Sequence, residues 1–221
     1  MSLLMPSLQL HDAGYSIEED MVSDRDLDLV LQDIPEPLAG HAGTRLLDRI
    51  DSVNRLAVAI RENLVVRGYS FGHLRPYWTN YFIKNAERNW IVPMHRDDRA
   101  PIAMTTDALP DFLSDESVKE GRRYAKVSRT VLAECWSVRL SCDASDARNA
   151  PLKVQPGSHR DDHSTHPVTE CIVGKGGCLI LSPNILHSSG KNVSGCPGRI
   201  IHFTYGPAQY AEFFQFIPTQ G

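Results

Sequence analysis

The sequence predicts a mainly β fold, a jelly roll buttressed by helices at its N-terminal end, and three observations carry that prediction. From Tyr77 onward, short segments rich in β-branched and aromatic residues recur. Clusters of Gly, Pro, Asn, Asp and Ser separate those segments. Helical periodicity is confined to the first third of the chain.

The helices come first. Ser23 is placed to cap a helix starting at Asp24, whose early acidic residues suit the positive end of the helix dipole. Ile34-Pro35-Glu36-Pro37 ends it, because a proline disfavours helix for the residue before it. A second helix is expected after Gly43-Thr44. Leu46, Leu47, Ile50, Val53, Ala57, Ile60 and Leu64 make one apolar stripe, with Asp48, Arg49, Asp51, Arg55 and Glu62 on the other face. Such a stripe must pack against a sheet. Strands are expected over 77–84, 90–97, 131–143, 177–182 and 199–205. The 221 residues suffice for one domain with a sizeable core and are few for two. We expect a single domain: a mainly helical part at 1–75, a jelly-roll core at 76–210, and a lid or insertion at 104–130.

Composition narrows the function. A net charge of -4 gives no basic stripe for nucleic acid. No apolar run approaches the ~20 residues of a membrane helix, and the N-terminus does not read as a secretion signal. A cytoplasmic protein, a monomer or homodimer without nucleic-acid or membrane partners, is the expectation. The five cysteines are odd in number and form no CxxC pair, so buried free thiols are expected.

The chemistry concentrates at Trp90-Ile91-Val92-Pro93-Met94-His95-Arg96-Asp97-Asp98. On a strand, His95 and Asp97 share a face while Arg96 and Asp98 point away. An imidazole and a carboxylate at this spacing are two ligands of a facial triad for non-heme Fe(II). The same spacing also makes a surface salt link, so a third ligand is needed. Residues 177–182 form a buried strand leading to Ile185-Leu186-His187-Ser188-Ser189, where His187 is framed as an inward ligand. Arg199, twelve positions on, shares its strand face with Ile201 and Phe203 and is directed into an apolar interior. A guanidinium there needs an anion: a bound carboxylate, or an internal Asp as the alternative.

The chain resembles the phytanoyl-CoA dioxygenase-like family of Fe(II)/2-oxoglutarate oxygenases. The resemblance rests on HAGTRLL at 41–47, NWIVPMHRD at 89–97, VRLSCD at 138–143, APLKVQPGSHR at 150–160, GGCLILSPNILHSSGKN at 176–192 and GRIIHFTYGP at 198–207. It implies a cupin-like double-stranded β-helix, with His95, Asp97 and His187 as iron ligands. It further implies that Arg199, assisted by Ser189, holds the distal carboxylate of 2-oxoglutarate, and that Lys84 reaches the cosubstrate's other end. Arg96 stands where relatives often have Gln, and Ala150 where they have Gly.

Arg139 is read from alternation. In Trp136-Ser137-Val138-Arg139-Leu140-Ser141-Cys142, the Ser, Arg and Ser face either meets solvent or lines a pocket between sheets, where Arg139 would bind a carboxylate. His159 belongs to a turn. His163 and His166 read as solvated, His202 as packed or half-exposed, and His11, His41 and His73 lack supporting context.

The resemblance implies a dioxygenase that takes Fe(II), 2-oxoglutarate and O2 and oxidises a C–H bond of a small molecule, most simply by hydroxylation, releasing succinate and CO2. Asp97 fills the ligand position that halogenases of the family leave vacant. Two alternatives stay open: a cupin-like isomerase or hydrolase that does not use 2-oxoglutarate, and a degenerate ligand-binding protein.

Overall fold

The computed structural model describes residues 6–37, 41–45, 49–103 and 109–217. The N-terminal third supplies α1 (Pro6–Ala13), β1 (Tyr15–Glu18), α2 (Asp24–Asp33), β2 (Gly43–Thr44) and α3 (Asp51–Val66). Next come β3 (Leu74–Lys84), β4 (Val92–His95), β5 (Arg99–Pro101), β6 (Leu113–Lys119), β7 (Arg122–Val127) and α4 (Arg129–Leu132). The chain ends with β8 (Trp136–Ser141), β9 (Leu152–Val154), β10 (Thr169–Cys171), β11 (Cys178–Leu181), β12 (His187–Ser189) and β13 (Gly198–Pro207).

Two antiparallel sheets form the roll. The larger has six strands in the order β1-β11-β8-β13-β3-β2, and the smaller has four in the order β10-β9-β12-β4. Alternation on the central strand β13 decides what each face of the larger sheet meets. Ile201, Phe203 and Tyr205 join Val138, Leu140 and Cys142 against the helices, all buried. From α3, Val53, Leu56, Ala57, Ile60 and Leu64 complete that core, and the Tyr205 hydroxyl donates to the Ala57 carbonyl at 2.8 Å. Burying each such side chain contributes about 1.5–3 kcal/mol, enough to fix the helices on this face. The opposite face carries polar residues and looks toward the smaller sheet.

Ser23 caps α2, its hydroxyl accepting from the Asp26 N–H at 3.2 Å, and Ile34 leaves the helix extended ahead of Pro35. The second helix departs from expectation at its start. It begins at Asp51, and Gly43–Thr44 instead pairs with Tyr81 and Phe82 at the edge of the larger sheet. Glycine is required at 43, because a Cβ there would collide with the Tyr81 carbonyl. Leu46, Leu47 and Asp48 lie outside the described residues. The mainly helical first part thus also contributes β1 and β2 to the sheet edges.

Two further features lie between β5 and β8. Within the stretch expected as a lid or insertion, β6 and β7 form a hairpin that continues onto β5 as a third sheet. Leu113, Ala125 and Val127 of that hairpin pack in a cluster with Tyr77, Leu132 and Phe214. The stretch expected to begin a strand at 131 instead starts in α4, capped by Ser128, and the strand starts at Trp136. No helix among the described residues is long and apolar enough to cross a membrane.

Candidate metal centre and its pocket

Strand pairing brings the two histidines together. His187 on β12 lies directly opposite His95 on β4 in antiparallel register, with ring centroids 4.2 Å apart. Asp97 follows the end of β4, and its N–H donates to the Pro183 carbonyl at 3.0 Å. His95 Nε2 stands 3.6 Å from Asp97 Oδ1, and His187 Nε2 stands 3.7 Å from Asp97 Oδ2. The three ligand atoms all lie within 4.8 Å of one another, and no other such group occurs among the described residues.

The far side of each ring sets its tautomer. His95 Nδ1 lies 2.9 Å from the Pro93 carbonyl, and His187 Nδ1 lies 3.0 Å from the Ile185 carbonyl. A carbonyl only accepts, so each Nδ1 carries the proton and each Nε2 lone pair is directed at the shared centre. Burial holds His187 in its neutral form. The adjacent Asp97 carboxylate raises His95. Burial opposes ionisation of Asp97, but the neighbouring imidazoles outweigh it and hold the carboxyl below the usual range. Two imidazole nitrogens and one carboxylate on a single side are a donor set that suits a divalent first-row metal and leaves positions open for ligands.

The triad opens on a cavity of about 370 Å³ between the two sheets. The larger sheet contributes Trp78, Asn80, Phe82 and Lys84 from β3, Arg139 and Ser141 from β8, and Ile200 and His202 from β13. Lys84, the last residue of β3, donates from Nζ to Ser189 Oγ and to the Gly190 carbonyl, each at 2.7 Å, and lies over the Trp90 ring. Burial, with Arg139 as a nearby like charge, lowers its ammonium to about 8. Among the described residues the Arg139 guanidinium has one hydrogen-bond partner, His202 Nδ1 at 3.4 Å, and it sits beside the Phe82 ring. Burial lowers Arg139 and takes His202 down to about 3, so the imidazole is neutral and accepts from the guanidinium. A cation so placed, with no carboxylate bonded to it, is prepared for an anionic ligand.

Arg199 takes the second of the two partners that the sequence left open. It shares the Ile201 and Phe203 face as alternation requires, but that face packs on the helices. Its Nε and Nη2 donate to the two oxygens of Asp143 at 2.9 and 2.6 Å, and its backbone N–H adds a third bond to the same carboxylate at 2.9 Å. The internal Asp is therefore its partner, at the edge of the pocket. His202, expected as packed or half-exposed, is buried in the pocket wall opposite Arg139. His159 is bonded not within its turn but to the His11 carbonyl at 3.0 Å, and His163 and His166 are exposed. Four cysteines are buried and Cys196 is exposed, all free thiols.

Two pocket residues were not singled out from the sequence. Trp78 Nε1 and Asn80 Oδ1 are buried and lack a hydrogen-bond partner among the described residues. The signal was present: stepping back by two from Lys84 along one strand gives Phe82, Asn80 and Trp78 on the same face.

Neither a family model nor a curated protein matches the chain. Solved structures do. The non-heme monooxygenase ThoJ, solved as a nickel complex, matches at a TM-score of 0.65 and 14% identity, over 92% of this chain and 77% of its own. The non-heme, α-ketoglutarate-dependent epimerase SnoN of nogalamycin biosynthesis matches at 0.65 and 14%, over 92% and 80%. HygX from Streptomyces hygroscopicus, solved with nickel and 2-oxoglutarate bound, matches at 0.62 and 14%, over 93% and 88%. The chain has the fold of these non-heme enzymes. At such identities the likeness establishes the roll and the order of its strands.

Proposed function

We propose that this chain is a cytoplasmic Fe(II)/2-oxoglutarate-dependent oxygenase of the phytanoyl-CoA dioxygenase-like type, hydroxylating a small molecule. The observation that carries this reading is the convergence of His95, Asp97 and His187 on one side of a pocket that also holds Arg139 and Lys84. Bound there, Fe(II) with 2-oxoglutarate supplies activation of O2 coupled to release of succinate and CO2. The chain's own part is to orient and to exclude water. Lys84 and Ser189 form one polar end of the pocket and Arg139 a second cation facing the triad, which suits a dicarboxylate. We assign the cosubstrate's carboxylates to these groups rather than to Arg199, whose guanidinium is already engaged by Asp143.

Arg45, at the pocket edge, is paired with Glu120 at 2.6 Å, and Arg199 with Asp143. With Arg139 and Lys84 given to the cosubstrate, the side chains left to line a substrate's space include Trp78, Asn80, Phe82, Trp90 and Ser141. That lining mixes aromatic rings with uncharged polar side chains, and it suits a neutral molecule. The protein is proposed to act as a monomer or homodimer.

Two measurements test the reading. Anaerobic addition of Fe(II) and 2-oxoglutarate should produce a visible metal-to-ligand charge-transfer band; Fe(II) binding without that band would leave the metal-dependent, 2-oxoglutarate-independent alternative in its place. The second uses pH. Lys84 is cationic below about 8 and neutral above it, so the charge that attracts 2-oxoglutarate is lost as pH rises. The 2-oxoglutarate Kd should rise between pH 7 and 9, by up to about tenfold per unit above the transition. Lys84→Met should bind more weakly and with a flat profile over that range. An unchanged slope in the variant would remove Lys84 from the cosubstrate site.

A further inference from the structure

Arg96 lies between two candidate ligands and points away from both, and its three hydrogen bonds all reach the far side of the metal centre. Its Nε donates to the Asn184 carbonyl at 2.7 Å, and its Nη2 donates to the Ser158 carbonyl at 3.0 Å and to Asp162 at 2.7 Å. Asn184 stands three residues ahead of His187, and its neighbour Pro183 accepts the Asp97 N–H. Ser158 holds the same approach, because its Oγ accepts from the Leu186 N–H at 2.8 Å. One guanidinium thus bridges the strand end that carries His95 and Asp97 to the segment that delivers His187.

We propose that Arg96 is a positioning residue for the metal centre, fixing the separation at which the three ligand atoms converge. The proposal rests on the metal reading above. The contrasting explanation is a plain salt link with Asp162. Asp162 is already held through both oxygens by Arg129, each at 2.7 Å, and two of the three Arg96 bonds go to main-chain carbonyls instead. A planar fork is needed to reach three acceptors in different directions at once; a lysine would satisfy fewer, and a shorter amide fewer still. Groups hydrogen-bonded to metal ligands change metal affinity roughly 10- to 100-fold when removed; Arg96 acts one bond further back, through the Asn184 and Ser158 carbonyls, so about the lower end is expected.

The test uses Co(II) as the probe, read by its visible absorption and by titration calorimetry, together with thermal melts of the metal-free protein. Arg96→Met keeps the apolar stem and removes the fork. It should raise the Co(II) Kd by about tenfold, with Arg96→Lys between it and the wild type. Arg129→Met is the control: it strips Asp162 of its bidentate partner, so its melting temperature should fall comparably while its Co(II) Kd stays within about twofold. The proposal is overturned if Arg96→Met binds Co(II) like the wild type, or if Arg129→Met weakens binding equally, which would reduce the effect to general loosening. If Arg96→Met does not fold, Arg96→Lys decides by the same criterion: a wild-type Co(II) Kd overturns the proposal, and a weakened one supports it. Failure of the wild type itself to bind Co(II) would instead sink the metal reading on which this stands.

Discussion

Alanine in place of His187 is expected to abolish succinate formation from 2-oxoglutarate while the protein still folds. The imidazole is 3% exposed, yet its side chain makes one hydrogen bond to protein, through Nδ1 to Ile185. Its main chain is held on both sides, by β4 and by β9. Losing the ring removes a buried hydrogen bond and some packing, about 1–3 kcal/mol, which a domain of ordinary stability tolerates. The metal has no such reserve. Two of three ligands remain, and Asp97 then lacks the imidazole at 3.7 Å that faces its second oxygen. Replacing a ligand should cost more than the roughly 10- to 100-fold typical of groups behind ligands. Fe(II) titration, circular dichroism and succinate assay on one preparation separate the possibilities. Coupled turnover at wild-type rate in the folded variant would exclude His187 from the coordination sphere.

The triad was legible only in part from local spacing: His95 ends β4 and Asp97 stands two residues on, just past the strand, while His187 comes from distant β12, delivered by the buried strand before Pro183. What alternation does not disclose is which face of a sheet looks at which neighbour. On β13 the choice lay between the Arg199, Ile201, Phe203 face and the Ile200, His202, Thr204 face. The more apolar face reads as the interior of the roll, but this sheet has two covered sides. Helices take the apolar side, and the pocket takes the side bearing Arg139, Asn80 and His202. A polar face that lines a cavity has the same pattern as one that meets water. The β6–β7 hairpin escaped for a related reason: Ser114 to Ser117 are largely exposed, so the period-two signal is absent where one strand face has no core to bury against. The edge strands β1 and β2 are four and two residues long, too short for any periodicity.

Because that choice of face decides which arginine meets the cosubstrate, Arg139→Leu and Arg199→Leu form the second large prediction. Hydrogen bonds to charged groups contribute about 1.5–3 kcal/mol, and a guanidinium fork on a carboxylate makes two. Arg139→Leu should therefore weaken 2-oxoglutarate by roughly 100-fold, since 1.4 kcal/mol corresponds to about tenfold. Fe(II) should respond in the other direction or not at all. Arg139 places positive charge near Asp97 and His187, so its removal relieves repulsion toward a divalent ion. That opposition of sign distinguishes loss of an anion anchor from misfolding, which would weaken both ligands together. Arg199→Leu should lower thermal stability, because Asp143 loses its bidentate partner and keeps the backbone N–H of residue 199, while 2-oxoglutarate affinity stays within about threefold. Calorimetric titration of both variants under anaerobic conditions reads the comparison directly. The reverse result, with affinity lost in Arg199→Leu and kept in Arg139→Leu, would mean that 2-oxoglutarate displaces Asp143 from Arg199, and the carboxylate site would move to the pocket edge.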